Sequence, residues 1–484
     1  MKATLIVSFI CLCLSSFAQL KNKGEKDKQF IVQELDKNFP SYSAVAKEIW
    51  QLAEMGYLEE KSSTLLREKL RGNGFAIQVG VAEIPTAFVA TYGSGKPVVG
   101  ILAEFDALPG LSQDSVPYKK PIREGAPGHG CGHNLFGTAS VAAGITLKNW
   151  LQKNNLSGTV KVFGTPAEEG GGGKTYMVRA GLFDGVDVVL HWHPGNANQA
   201  NAESSLANIS GRFRFHGVAA HAAANPDAGK SALDAVESMD YMVNLMREHV
   251  PQESRIHYVI THGGLTSNIV PDFAEVEYTV RHPDVATTKK IWTRVVKCAE
   301  AAAMGTETTM DYELESGLYN LLPNETLAKI TYDNLMRVGG VKYTAAEIEF
   351  AKKLQTTFTG IRPEVSNAEK IEPYRTGIFF PASTDVGNIS WVVPTVGFST
   401  ATWVPGTPAH SWQSTSTGCM GIGLKAMQNA AKTIAMTGVD LFNNPALVES
   451  SKAELSQRRG EGFTYESLVG NRKPPLDYRK GQIK

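Results

Sequence analysis

Residues 98–105 read VVGILAEF, the apolar run expected of a strand buried on both faces. Just before it, Phe75, Ile77, Val79 and Val81 alternate, residues 86–92 continue the β texture, and a Gly-Ser-Gly turn at 93–95 leads into the run. Further upstream, Ile31, Leu35, Ile49, Leu52, Leu65, Leu66 and Leu70 fall at helical spacing, so residues 29–72 read as helices closing at Gly72 and Gly74. Downstream the texture alternates: a small-residue helix over 135–151, a strand over 159–164, a helix over 174–182 and a strand over 186–191. That alternation predicts an α/β domain with helices covering a sheet, and ligands in such sheets bind beyond the carboxyl ends of the strands.

From residue 206 the order changes to strand, helix, strand, strand, helix, strand: 206–215, 231–247, 256–262, 273–281, 284–303 and 308–315. This is the ferredoxin-like order. The expected organisation is a two-domain, mixed-sheet α/β catalytic domain (25–205 and 317–449) interrupted by a ferredoxin-like α+β domain (206–316). At 484 residues the chain exceeds the roughly 250–300 that one core supports. Residues 415–441 read as one long Ala- and Gly-rich helix, and 450–484 as a polar, charged tail, either a surface extension or partly disordered.

The first residues, MKATLIVSFICLCLSSFAQL, place one lysine before an apolar stretch that ends in small residues, the pattern of a secretory leader cut near Ala18. Residues 1–18 are therefore expected to be a signal peptide and the mature protein to be periplasmic or secreted. The apolar stretch is too short to span a bilayer. Removal of the leader takes Cys11 and Cys13 with it and leaves Cys131, Cys298 and Cys419, an odd and scattered set that implies no disulfide framework. Lysine plus arginine and aspartate plus glutamate balance at 48 each, with no long basic run, which argues against nucleic acid or an acidic membrane as partner. A small-molecule partner is expected instead.

The residues suited to chemistry cluster at the predicted strand ends. GHGCGHN sets His129, Cys131 and His133 at alternate positions, on one side of an extended backbone. A thiolate with imidazoles suits zinc or another first-row divalent ion. TPAEEGGGGK puts Glu168 and Glu169 just past the strand 159–164, facing different ways, so that one can bind metal while the other serves as general base. The glycines that follow are not a phosphate cradle, because the required spacing before Lys174-Thr175 is missing. LHWHPG offers His191 and His193 on one side with Trp192 opposite, and TPAHSWQ offers His410 in a proline-bounded loop. Together Cys131, His133, Glu169, His193 and His410 could hold two divalent ions.

The stretches AEFDALPGLSQ, GHGCGHNLFGTAS, GTPAEEGGGGK, LHWHPG, HGVAAHAAANPDAGKSALDAVE, LTSNIVPDFAEVEYTVR, STDVGNISWVVPT and GTPAHSWQ, in this order, make the chain resemble the exopeptidase and aminoacylase family of two-metal hydrolases. The likeness is to its amidohydrolase branch, which contains the indoleacetyl-amino-acid hydrolases. The resemblance implies Cys131, His133, Glu169, His193 and His410 as ligands of two divalent ions, zinc or manganese, with His193 preferred to His191, and Glu168 as general base. It implies that His221 of the inserted lid and dimerisation domain polarises the scissile carbonyl, often across a dimer interface, and that Asn268 and Arg281 bind the substrate carboxylate. Most of the branch has Asp after CGH, where this chain has Asn134, taken as the mark of a close subgroup; the resemblance implies p-aminobenzoyl-glutamate or related folate fragments as substrate. The implied reaction is hydrolysis of an amide between an acyl or aroyl group and an amino acid, in a homodimer or beside a paired A-type subunit. A dipeptidase of the same chemistry, a cysteine-nucleophile amidase on Cys131 and His133, and a non-catalytic secreted binding protein are the rival readings.

Overall fold

The structure, a computed structural model, describes residues 2–481, with side chains described from residue 24 onward. The expected leader, residues 1–18, lies outside the residues whose side chains are described. Helices α1 (Lys2–Leu52) and α2 (Glu60–Arg71) open the chain. Their periodic residues Ile31, Leu35, Ile49, Leu66 and Leu70 are fully buried, each contributing about 1.5–3 kcal/mol on leaving water.

Strands β1 (Ala76–Val79), β2 (Phe88–Ser94) and β3 (Val98–Ala103) follow, then α3 (His133–Asn154), β4 (Gly158–Gly164), α4 (Gly173–Arg179) and β5 (Val188–Leu190). Every residue of β3 is buried, as its apolar run requires. Helix α3 lies against β3 and β4. Its small residues permit the approach: a Cβ at Gly137 would stand 2.6 Å from the carbonyl oxygen of Glu104. Short strands β6 (His193–Gly195) and β7 (Glu203–Ser204) lead into the next unit.

That unit is built from β8 (Ala207–His216), α5 (Ala232–Met246), β9 (Arg255–His262), β10 (Phe273–His282), α6 (Val285–Gly305) and β11 (Thr309–Leu318). The strands pair antiparallel in the order β11-β8-β10-β9. Alternating inward residues of β8 and β10, among them Phe213, Phe215, Val276, Tyr278 and Val280, form a core with α5 and α6.

The chain then returns through α7 (Glu325–Val338), α8 (Ala345–Gln355), β12 (Ile378–Phe379), α9 (Val386–Ser390), β13 (Thr395–Val396) and β14 (Ser399–Ala401). The main sheet has the order β1-β2-β4-β3-β5-β13. Strands β3, β4, β5 and β13 run parallel, whereas β1 and β2 are antiparallel, so the sheet is mixed as expected.

The single helix expected over 415–441 is two, α10 (Trp412–Thr417) and α11 (Gly421–Asn443). Met420 between them has extended backbone, and Gly418 presses on the Trp50 indole, where a Cβ would come within 2.8 Å. The final helix, α12 (Pro445–Arg459), is followed by a segment that packs down rather than extending outward, with Leu468 and Val469 buried. Among the described residues no helix is long and apolar enough to cross a membrane, and Cys131, Cys298 and Cys419 are free.

Candidate metal centre

The parallel strands β3, β4 and β5 deliver their carboxyl ends to one edge, and the chemistry-bearing loops leave from there. Beyond β3 come Glu104 and Asp106, and beyond β4 come Glu168 and Glu169. Beyond β5 the chain reaches His193, whose amide is held by the Phe398 carbonyl at 2.7 Å as β6 pairs with β14. Gly132, at φ +78°, turns the chain into α3 so that His133 is the helix's first residue. His410 arrives from the loop after β14, at φ +53°.

Three sets of ligand-type atoms converge, each within 4.8 Å: Cys131, His133 and His193; Cys131, Glu169 and His410; and Glu104, His133 and Glu168. The five residues expected to hold metal are thus all present in overlapping sets, with Glu168 beside them. Cys131 Sγ is 3.4 Å from His193 Nε2, and His410 Nε2 is 3.3 Å from Glu169 Oε1.

The outer contacts decide which ring nitrogens are free. His133 Nδ1 lies 2.8 Å from Asp106 Oδ1, and His193 Nδ1 lies 2.7 Å from the carbonyl of its neighbour Pro194. A carboxylate and a carbonyl can only accept, so both Nδ1 atoms carry protons and both Nε2 atoms turn inward, the usual arrangement for metal-binding imidazoles. The second oxygen of Asp106 accepts from the amide of Glu169 at 2.9 Å. One buried carboxylate therefore orients two candidate ligands.

Sequence reasoning missed the layer behind these residues. Lys174, fully buried, places Nζ 2.7 Å from both Glu104 Oε1 and Asp385 Oδ1, and its amide donates to Asp385 Oδ2 at 2.9 Å. The other oxygen of Glu104 lies 3.1 Å from His133 Nε2. Buried Glu59 accepts from the amide of Ala167 at 2.8 Å, steadying a residue held at φ +57°. The available signal was two acids directly after the most apolar strand and a lysine in a glycine-rich turn.

Electrostatics follow from burial. Burial first, then Glu104, Glu169 and Asp385, push the Glu168 carboxyl well above the usual range. Burial and the Glu169 carboxylate push the Cys131 thiol up. Burial opposes the charge on Asp106, yet His133 beside it holds its carboxyl below the ordinary value. Burial likewise works against a cationic His133, but Cys131, Asp106 and Glu104 overcome it and raise its pKa. Burial and neighbouring His133 lower His193 to about 4. Carboxylates thus crowd the buried pocket, and Glu104 Oε2, His133 Nε2 and Glu169 Oε1 lie in it without a well-formed hydrogen bond, the first two 3.1 Å apart and the third 3.3 Å from His410 Nε2. An imidazole nitrogen and carboxylate oxygens left in this way beside the Cys131 thiol fit divalent ions.

One expectation needs correction. His129 does not share a face with Cys131 and His133, because residues 129–132 form a turn, with Gly132 N donating to His129 O, rather than a strand; its Nε2 lies 3.0 Å from the carbonyl of Ile49. The amides of Val189, His191 and His193 donate in turn to the carbonyls of Pro394, Val396 and Phe398, so the backbone stays extended through both histidines. His191, Trp192 and His193 all meet the ring of Phe136, and of the two histidines only His193 belongs to the three sets.

The remaining residues lie elsewhere. His221 is exposed, its Nδ1 accepting from the amides of Ala223 and Ala224. It bridges to Ile269, beside Asn268, whose carbonyl accepts from Ala222 N at 3.1 Å. Neither belongs to the three sets. Arg281 Nη1 donates to Ser383 Oγ at 3.1 Å, close in sequence to Asp385. Asn134 is structural, donating to the carbonyls of Ala46 and Gly418.

A model of peptidase family M20/M25/M40 matches residues 100–435. The chain is 39% identical over 455 residues to the B-type subunit of p-aminobenzoyl-glutamate hydrolase from Escherichia coli, covering 89% of this chain and 95% of that protein. It is 30% identical to Xaa-Arg dipeptidase of Mus musculus, covering 88% and 92%. Among solved structures, a dinuclear metal binding peptidase of Bacillus subtilis superposes with a TM-score of 0.57 at 16% identity, covering 84% of this chain and 99% of the other.

Proposed function

The chain belongs to peptidase family M20/M25/M40 and is a hydrolase of amide bonds; from that premise we propose that it cleaves the amide joining an aroyl or acyl group to an amino acid, with p-aminobenzoyl-glutamate as first candidate. The observation that carries the proposal is the convergence of Cys131, His133, Glu169, His193 and His410 around one pocket with Glu168 at its edge. The substrate class is suggested by the Escherichia coli relative.

The five residues would hold two divalent ions, for which the thiolate favours zinc. Such ions, when bound, lower the pKa of a water and polarise a carbonyl. Glu168 takes the proton of the attacking water and returns it to the leaving amine, a double task that suits a carboxyl whose pKa is raised. Asp106 keeps the His133 ring and the Glu169 backbone aimed. A nucleophilic Cys131 is disfavoured, since its Sγ stands among ligand-type atoms of His133, His193, Glu169 and His410, a setting that suits a metal ligand.

His221, exposed on the four-stranded unit, would reach a carbonyl in the site of a second copy, so we read the protein as a homodimer joined along β9. Tyr258, Val259 and Ile260 lie exposed on that edge strand, where unpaired backbone invites a partner. Pairing with an A-type subunit is the other arrangement, suggested by the Escherichia coli relative being one subunit of its enzyme. Asn268 and Arg281 are offered as contacts for the substrate carboxylate, and export of the mature chain after cleavage near Ala18 is proposed on the leader pattern.

A second reading, a dipeptidase with the same chemistry, is favoured by the mouse Xaa-Arg dipeptidase relative. One assay separates the two: metal-analysed protein is given p-aminobenzoyl-glutamate, N-acyl amino acids and Xaa-Arg dipeptides, with and without chelator. Chelator-sensitive release of p-aminobenzoate supports the first reading. Cleavage of dipeptides alone replaces it, and turnover unaffected by metal removal overturns both.

A further inference from the structure

The segment after α12 comes back to the pocket. Tyr478 Oη and Arg479 Nη2 both donate to the backbone carbonyl of Glu169, at 2.9 and 2.7 Å. The amide of the same residue is held by Asp106 from the core side. The peptide groups of Glu169 are therefore gripped from both sides, one grip supplied by residues more than 300 positions later in the chain. Tyr478 is itself fixed: its ring meets the Tyr57 ring edge-on at 5.6 Å, Tyr57 donates to the carbonyl of Gly171, and Arg479 lies over the Tyr478 ring at 4.8 Å.

The same segment is anchored upstream to the four-stranded unit. Tyr319 Oη donates to the carbonyl of Glu466, Lys289 pairs with the Glu466 side chain, Leu468 is buried in that unit's core, and Arg472 reaches Glu313 and the carbonyl of Glu315. Arg179 at the end of α4 donates to the carbonyls of Gly470 and Arg472. Residues 465–479 thus form a strap running from the inserted unit to the loop that presents Glu168 and Glu169. The loop has need of outside support, since Ala167 sits in the left-handed region, where a residue with a Cβ costs roughly 1–2 kcal/mol.

We propose that this strap sets the aim of Glu168 and Glu169, with Tyr478 and Arg479 as positioning residues for the metal centre. The proposal rests on reading Glu169 as a ligand and Glu168 as the base. Neither positioning residue belongs to the three ligand sets; both donate to one carbonyl oxygen.

The test is zinc affinity by chelator competition on the full-length chain, beside thermal unfolding and, where a substrate is known, kcat and KM. Variants are Tyr478→Phe, which removes only a hydroxyl, Arg479→Ala, their combination, and Arg479→Lys as conservative control. The double variant should keep the wild-type fold by circular dichroism, bind zinc about tenfold or more weakly, and lose kcat more than it raises KM, with Arg479→Lys recovering part of the affinity. Unchanged zinc affinity overturns the proposal, even if the unfolding temperature falls, because a merely structural strap would give that result. Should the double variant not fold, Tyr478→Phe alone decides by the same criterion. A wild-type chain that binds no zinc at all removes the metal reading itself, and the strap's role with it.

Discussion

Asp106 Oδ1 lies 2.8 Å from His133 Nδ1, and both residues are buried. Because the other Asp106 oxygen holds the amide of Glu169, the loops after β3 and β4 and the start of α3 are tied by one carboxylate. Asp106→Asn keeps the shape, but whichever way its amide turns, it sets an N–H group against either the His133 ring N–H or the Glu169 amide. Metal affinity should fall about 10- to 100-fold, measured by chelator competition. An unchanged affinity would show that the pair is not needed to aim His133.

Glu168→Gln should retain metal and lose turnover by about 10²- to 10⁴-fold. Metal analysis and a steady-state assay on one preparation check this. A variant that turns over normally cannot have lost its general base.

Lys174 pairs with both Glu104 and Asp385, and all three side chains are buried. Lys174→Met leaves two buried carboxylates without their cation and should cost about 3–5 kcal/mol, read from urea unfolding of the metal-free protein. A loss under about 1 kcal/mol would mean that the two acids are neutral in the native protein.

Three imidazoles are buried in their neutral form: His129 near pKa 4, His191 near 3 and His193 near 4, in each case through burial first and then a neighbouring histidine. The unfolded chain binds these protons near pH 6.5, whereas the folded chain does not until much lower pH. Stability is therefore present above about pH 6.5 and is lost as pH falls toward about 4, at up to about 1.4 kcal/mol per pH unit for each group. Because His133 and Glu168 are raised and titrate in the opposite sense, the contribution of one group is read by difference: between about pH 7.5 and 5 the unfolding temperature of metal-free wild type should fall more steeply than that of His191→Gln, and equal slopes contradict a neutral buried His191.

If β9 joins two copies, a lysine on that edge should part them. Val259→Lys, at a side chain 55% exposed in the single chain, is expected to give monomers by light scattering and to lower activity through loss of the partner's His221. A variant that stays dimeric moves the interface elsewhere.

The elements were largely legible because their signals are local. The run 98–105 contains β3, Val98–Ala103, with its buried residues, and the strand and helix order over 206–316 is that of β8 to β11 with α5 and α6. The break between α10 and α11 was not legible, because it depends on Trp50 arriving from a distant helix to sit against Gly418. Likewise 450–484 reads as polar by composition, yet Leu468 and Val469 find buried places on elements formed hundreds of residues earlier.

For the site, sequence by itself determined the inventory: a thiol, imidazoles and carboxylates at strand ends, which their chemistry alone marks as metal-binding. Only tertiary structure decided which of them converge, since side-chain direction at a strand end depends on the turn that follows. The turn at 129–132 takes His129 away, and of the two histidines after β5 only His193 comes within reach of the Cys131 thiol. Tertiary structure also brought Glu104, Asp106, Lys174, Asp385, Tyr478 and Arg479 behind the ligands. No spacing rule links positions so far apart; the buried charges among them are tolerable only because the fold pairs each with another.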